Sequence, residues 1–290
     1  MHQLICYKKM PIWTQESIPS GFKKQHNTKV GTWAKLVILE GQLHFAFVSE
    51  QGEVLSEHCF SAAEPAPMIE PQVWHKIVSA SSDVRCQLEF YCQPMDYFSK
   101  KYQLTSTHSE VIAALPYLAG GQALDMGCGT GRNSLFLSQN GFDVEAWDVN
   151  ENSIAKLDEI IATEQIENIF SQRRDLNLNP QIDRDYNFIC CTVVMMFLQP
   201  QTIAQLVKNM QAATLPQGFN LIVCAMNSED YPAQQDFPFT FQAGELQDYY
   251  RDWNILKYNE DVGHLHRVNA NGQPIAQRFA TLLAQKPAQR

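Results

Sequence analysis

The sequence has no apolar run approaching the ~18–20 uncharged residues that a membrane-spanning helix needs. A chain built on transmembrane helices is therefore excluded, and no membrane partner is expected. The first residues, Met1-His2-Gln3-Leu4-Ile5-Cys6-Tyr7-Lys8-Lys9, put their charges after a very short apolar stretch, the reverse of a secretory signal. A cytoplasmic protein is the expectation. None of the eight cysteines forms a Cys-x-x-Cys pair, so a zinc ribbon has no ligands. Cys190, Cys191 and Cys224 lie within apolar runs, where a thiol behaves as a small buried hydrophobe. Reduced, structural cysteines follow. Basic charge is scarce too. The chain holds 22 Lys and Arg against 31 Asp and Glu, for a net charge of −9. Residues 96–290 carry most of the excess, with 22 acidic and 14 basic side chains. A nucleic-acid partner needs a basic face to displace counterions, and none is visible. Internal repeats and low-complexity segments are absent.

What is present falls into two parts, as 290 residues lead one to expect. Residues 1–93 read as an all-β domain, a small sandwich or barrel. Lys35 to Val48 looks like two strands turning at Gly41. Further strands are predicted at Val54–Phe60, Trp74–Val78 and Val84–Tyr91, punctuated by Pro and Gly. Residues 94–290 alternate helix and strand. Thr107-His108-Ser109-Glu110 fits a helix capping box. Ala123-Leu124-Asp125, Val144–Asp148, Asn187–Thr192 and Asn220–Ala225 read as strands. Helices are predicted over Asn133–Asn140 and Ile154–Ala162, and again where Ile203, Leu206, Val207 and Met210 repeat at helical spacing. Such alternation predicts an α/β, doubly wound, largely parallel sheet. Asn271-Gly272, between Leu265–Val268 and Arg278–Leu283, predicts a closing antiparallel hairpin. A doubly wound sheet ending in such a hairpin is the Rossmann-like pattern of class I methyltransferases.

The sharpest motif is Leu124-Asp125-Met126-Gly127-Cys128-Gly129-Thr130-Gly131-Arg132-Asn133. Glycines at 127, 129 and 131 let the backbone turn tightly after a strand and come close to a ligand. A dinucleotide fingerprint wants Gly-x-Gly-x-x-Gly, but Arg132 stands where its third glycine belongs, which argues against a dehydrogenase. S-adenosylmethionine carries an ammonium, a carboxylate and a sulfonium and no phosphate, and Asp125 before the turn suits its positive charge. Asp148, about 20 residues past Gly127, ends the next strand where an acidic side chain can accept both ribose hydroxyls. Asp175, at the end of a third strand, can meet the adenine amino group while Leu176 packs on the ring. Taken alone, either aspartate reads as a solvated loop carboxylate. Three signals in order at successive strand ends point to S-adenosylmethionine as co-substrate. Tyr102, Arg132, Asn133, Asn152 and Thr192, in or near these motifs, are further candidate cofactor contacts.

The acceptor side is less marked. No Asn/Asp-Pro-Pro-Tyr motif for an amino nitrogen and no Pro-Cys nucleophile for cytosine follows the fourth strand, which runs into Thr192-Val193-Val194-Met195-Met196-Phe197. Gly263-His264-Leu265-His266-Arg267, with Arg278 beyond the turn, offers proton-shuttling and oxyanion-binding groups. A solvated hairpin is an equally good reading of that cluster by itself. His264-x-His266 has no carboxylate partner for a metal, and no metal site is expected.

Tyr97-Phe98-Ser99-Lys100-Lys101-Tyr102, the glycine motif through Ser134-Leu135, Thr192 to Leu198, Asn220-Leu221-Ile222-Val223, Phe237-Pro238-Phe239 and Asp261 to Arg267 together resemble the TehB tellurite-resistance methyltransferases. His26-Asn27-Thr28-Lys29-Val30-Gly31-Thr32-Trp33 and Pro71-Gln72-Val73-Trp74-His75 resemble the extra, cupin-like β domain of the longer members. Its His-x-His plus Glu metal pattern is missing here, which favours a structural or regulatory module without metal. The resemblance implies methylation of tellurite, and of selenite, as detoxification, with a small oxyanion as acceptor. It implies that His266 takes the proton of hydrogen tellurite and Arg267 holds its oxygens. The family places a basic residue two positions after Asn-Gly; here that position is Pro274, for which Arg278 is the candidate substitute. Two other readings stay open from the residues: a methyltransferase for another small thiol or metabolite, and a non-catalytic S-adenosylmethionine sensor. Monomer and homodimer both remain open.

Overall fold

The computed structural model describes residues 3–233, 237–268 and 271–288, apart from the side chains of His266 and Arg267. Two compact units divide the chain, Met1–Leu104 and Thr105–Arg290.

In the first unit, strands alternate apolar and polar residues, so each buries one face. β1 (Ile5–Lys9), β2 (Trp13–Thr14) and β3 (Trp33–Glu40) all pair antiparallel with β7 (Arg85–Cys92). β4 (Gln42–Val48) lies between β5 (Val54–Ser61) and β6 (His75–Ala80) in a second antiparallel sheet. The chain does turn at Gly41, but β3 and β4 do not pair with each other. Each joins a different sheet, and the turn carries the chain across. Leu36, Ile38 and Leu88 from one sheet meet Leu43, Phe45 and Ile77 from the other in one core. The first unit continues past Pro94 into α1 (Tyr97–Tyr102), where Lys100 Nζ donates to Thr32 Oγ1 at 2.9 Å and to the Val30 carbonyl at 3.2 Å. Tyr102, an expected cofactor contact, ends this helix and stacks on Phe98 within the first unit.

His75 is buried beside His26, with ring centroids 4.3 Å apart, and its Nδ1 lies 2.8 Å from the Val73 carbonyl. His26, His58 and His75 each have a hydrogen-bond partner within two residues. Burial pushes the His75 imidazolium down to about 4, against an ordinary ~6.5 in the unfolded chain. Between those values the unfolded chain binds a proton that the fold excludes. The stability present above pH ~6.5 is therefore lost as the pH falls, by about 3 kcal/mol at pH 4. We expect His75→Asn, which keeps a donor for the Val73 carbonyl, to flatten the acid limb of urea unfolding followed by tryptophan fluorescence. An acid limb unchanged in the variant would assign the loss to other groups.

The second unit is a seven-stranded sheet. β8 (Gly121–Met126), β9 (Phe142–Asp148), β10 (Ile169–Arg173), β11 (Tyr186–Thr192), β12 (Thr214–Ala225), β13 (Asn254–Val268) and β14 (Pro274–Gln285) run in the order β10-β9-β8-β11-β12-β14-β13. The first five are parallel; β14 is antiparallel to both β12 and β13. The central strands are apolar on both faces because helices cover both. α3 (Arg132–Gln139), α4 (Glu151–Glu164) and α5 (Pro200–Ala212) are the crossovers, and α5 buries Ile203, Leu206, Val207 and Met210 as the spacing predicted. The strand expected at Asn220–Ala225 is longer: β12 starts at Thr214 and takes in Pro216-Gln217-Gly218 as an irregularity opposite Tyr186 and Phe188. The capping box is corrected as well. α2 (Ser109–Ala114) is capped by His108, whose ring accepts from the Glu110 amide, while Thr107 donates to the Arg132 carbonyl. All eight cysteines are free. Among the described residues no helix is long and apolar enough to cross a membrane.

Candidate active site

The reversal of strand order lies between β8 and β11, and open α/β sheets bind ligands at the carboxyl ends of strands at such a point. The glycine loop sits there. Gly127 has φ of +70°, and a Cβ added to it would meet Val194 Cγ2 at 2.2 Å. The loop needs a residue that tolerates a left-handed backbone and has no side chain. The Gly129 amide donates to Asp148 Oδ2 at 2.8 Å, and the Asn150 amide to Asp148 Oδ1, also at 2.8 Å. An ionised carboxylate has about four lone-pair sites, so two such bonds orient Asp148 and leave capacity for ligand hydroxyls. Asn150 also caps α4 by accepting from the Asn152 and Ser153 amides. This locks the loop that carries Asp148.

Asn133 and Thr192 are also brought together: Asn133 Nδ2 donates to Thr192 Oγ1 at 3.1 Å, joining the start of α3 to the end of β11. Asn133 Oδ1 accepts from the His108 amide at 3.1 Å. Arg132 is half-buried, and desolvation lowers its guanidinium pKa. Asn152 is exposed in the first turn of α4. Asp175 accepts from the Asn177 amide at 2.9 Å, beside the buried Leu176.

Asp125 has a setting the residue pattern did not foretell. It is completely buried, accepting from Ser134 Oγ at 2.6 Å and Cys190 Sγ at 3.4 Å. Burial pushes its carboxyl above the ordinary range. It braces the glycine loop from beneath instead of presenting an open charge to an ammonium group. Ser134 and Cys190 carry no signal in the sequence because a small polar side chain in a helix and a thiol in a strand have no distinctive pattern.

Val193 directly follows β11 with φ of +61°. That is a rare conformation for a β-branched residue, and such strain concentrates at functional sites. Val193 lines a cavity of about 310 Å³ together with His108, Glu110, His264, Gly263 and Phe279. Glu110 is neutralised there by Lys257 Nζ at 2.6 Å, while Asp261 stands at the exposed edge. Arg278 does not join the cavity. It lies opposite Val262, donates to the Glu260 carbonyl and is ion-paired with Asp230. Asp230 raises its pKa further, so the expected substitute for a basic residue at Pro274 is already committed elsewhere. Pro274 opens β14 opposite Val268. The backbone of His266 and Arg267 lies in β13; their side chains, and with them the expected acid-base and oxyanion contacts, lie outside the described residues. No group of three or more His, Cys, Asp or Glu among the described residues is placed to hold a metal.

The seven-stranded order, the terminal antiparallel strands and the glycine loop tied to a strand-end aspartate define a class I S-adenosylmethionine-dependent methyltransferase. The family model described as "Tellurite resistance protein TehB" matches residues 90–283, and one described as "TehB-like domain" matches residues 8–88. The chain belongs to the TehB family. It is 47% identical over 285 residues to a Haemophilus influenzae protein named "Probable S-adenosyl-L-methionine-dependent methyltransferase TehB", covering 98% of this chain and 99% of that one. A protein of Eikenella corrodens named "Hemagglutinin 1" is 42% identical over 240 residues, 83% of this chain and 79% of its own. The crystal structure of TehB from Haemophilus influenzae superposes with a TM-score of 0.92 at 47% identity, covering 98% of both chains. S-adenosylmethionine is the methyl donor.

Proposed function

We propose that the enzyme methylates a small chalcogen oxyanion, tellurite and also selenite, as a detoxifying reaction. The observation that carries this reading is the small cavity in which strained Val193 meets His264 and Gly263 of β13. Its volume suits a compact acceptor. The description of the matching family as a tellurite-resistance protein adds the chemical class.

In this reading residues 1–93 are a separate β domain and residues 94–290 carry the catalytic domain, entered through α1, which itself packs in the first unit. The donor lies over the glycine loop, with its ribose hydroxyls on Asp148, its adenine amino group on Asp175 and its ring on Leu176. Gly127 and Gly129 give the backbone its close approach. Arg132, Asn133, Asn152 and Thr192 complete the surround, and Asp125 acts through the loop it braces. The lone pair on tellurium(IV) attacks the methyl carbon in line. A Te–C bond forms as the C–S bond breaks, and the bonding pair returns to sulfur, converting the sulfonium to a thioether. His266 takes the proton of hydrogen tellurite and Arg267 holds its oxygens. Most of the rate then comes from positioning and charge compensation.

S-adenosylhomocysteine release by the purified chain should depend on added tellurite or selenite. His266→Ala and Arg267→Ala should each lower that rate on the order of 10²-fold or more, with donor affinity retained. Donor binding without oxyanion-dependent product would sink the acceptor assignment. Product formed with a thiol in place of the oxyanion would instead favour a small-thiol methyltransferase.

A further inference from the structure

The first unit contains a cavity of about 700 Å³, inside the ~300–1,000 Å³ range of small-molecule sites. It is a cleft partly open to solvent. The floor is apolar and comes from both sheets, with Trp13, Leu36, Phe45, Ile77 and Phe90 among its lining. The charge around it has one sign. Lys8, Lys29, Lys100 and Lys101 line the cavity, and no Asp or Glu does among the described residues. This stands out in a chain whose net charge is −9.

The polar wall is only partly satisfied within the chain. Thr28 is among the lining residues, though its hydroxyl is buried away from the open space and has no hydrogen-bond partner among the described residues. His26 and His75 also line the cavity. Each has Nδ1 beside a backbone carbonyl, at 2.9 Å and 2.8 Å, so a neutral ring donates from Nδ1 and leaves Nε2 as an acceptor. Among the described lining residues the cations are lysines, which bind an anion as point charges and without an arginine's bidentate fork.

We propose that this cavity is a binding site for a small organic carboxylate with an aromatic or branched aliphatic body, the body resting on the apolar floor and the carboxylate meeting the lysines. The site lies wholly within the first unit and is independent of the acceptor assigned above.

The test is calorimetric titration of the full chain with three matched probes: 4-phenylbutyrate, its neutral amide and 4-phenylbutylamine. We expect the carboxylate to bind at least about tenfold more tightly than the amide, a difference typical of one charge-assisted contact, and the amine not to bind. S-adenosylhomocysteine should not displace the carboxylate. Lys100→Gln and Lys29→Gln should each weaken it about tenfold while leaving S-adenosylmethionine affinity unchanged. Lys100 also holds Thr32, so the exposed Lys29 supplies the variant least able to disturb the fold. No binding by any probe, equal or tighter binding of the amide or amine, displacement by S-adenosylhomocysteine, or unchanged affinity in Lys29→Gln would each overturn the proposal.

Discussion

Gly127→Ala should abolish useful donor binding while leaving a folded protein. The added methyl would have to occupy a left-handed backbone at φ +70° and a point 2.2 Å from Val194 Cγ2. The backbone penalty is about 1–2 kcal/mol. Overpacking against a side chain that is stiff at χ1 adds about 1–3 kcal/mol. The loop will relieve this by moving, and its position is what donor binding requires. We expect a loss of S-adenosylmethionine affinity on the order of 100-fold or more, the equivalent of about 3 kcal/mol. Gly129→Ala separates the two causes. Gly129 also has positive φ, +55°, but nothing lies within 4 Å of its added Cβ. Its loss should reflect backbone strain alone and be distinctly smaller. Calorimetric titration of both variants, with thermal melting as a fold check, reads the difference. Equal losses would show that the clash with Val194 is not the cause.

Asp148→Asn should produce the second large effect. The native carboxylate accepts the Gly129 and Asn150 amides, one on each oxygen. An asparagine presents one acceptor and one donor, so its NH₂ must face an amide N–H. The ribose hydroxyls are deprived of a charged acceptor at the same time, so donor affinity should fall on the order of 10–100-fold. The role in ribose recognition can be isolated with adenosine and 2′,3′-dideoxyadenosine as competing ligands. The wild type should discriminate strongly between them and the variant hardly at all. Undiminished discrimination in the variant would remove Asp148 from ribose recognition and leave it a loop-positioning residue.

Much of the second unit was legible because its signals are short-range. Helical spacing in Ile203, Leu206, Val207 and Met210 appears as the buried face of α5. The glycine turn and Asp148 follow directly on strands whose apolar runs mark them, so local pattern and position in the sheet coincide. In the first unit the strands were legible but their pairing was not. Lys35–Val48 reads as two strands turning at Gly41, as found, but the pattern did not show that β3 finds its partner at β7, some 50 residues away. Alternation records which face is buried, and carries no information about which neighbour a strand takes.

By itself, then, the sequence determined the doubly wound α/β class, the glycine loop with its strand-end aspartate, and the S-adenosylmethionine donor. Each depends on residues within a few positions of one another or on regular spacing. Tertiary structure alone decided that Asp125 is a buried brace, because its partners Ser134 and Cys190 come from a separate helix and strand. It also committed Arg278 to Asp230, 48 residues away, and put Val193 in a strained backbone at the end of β11. The lysine-lined cavity likewise forms only when residues from the start of the chain meet those of α1. Charge, burial and strain of this kind depend on through-space neighbours, which residue order does not reveal.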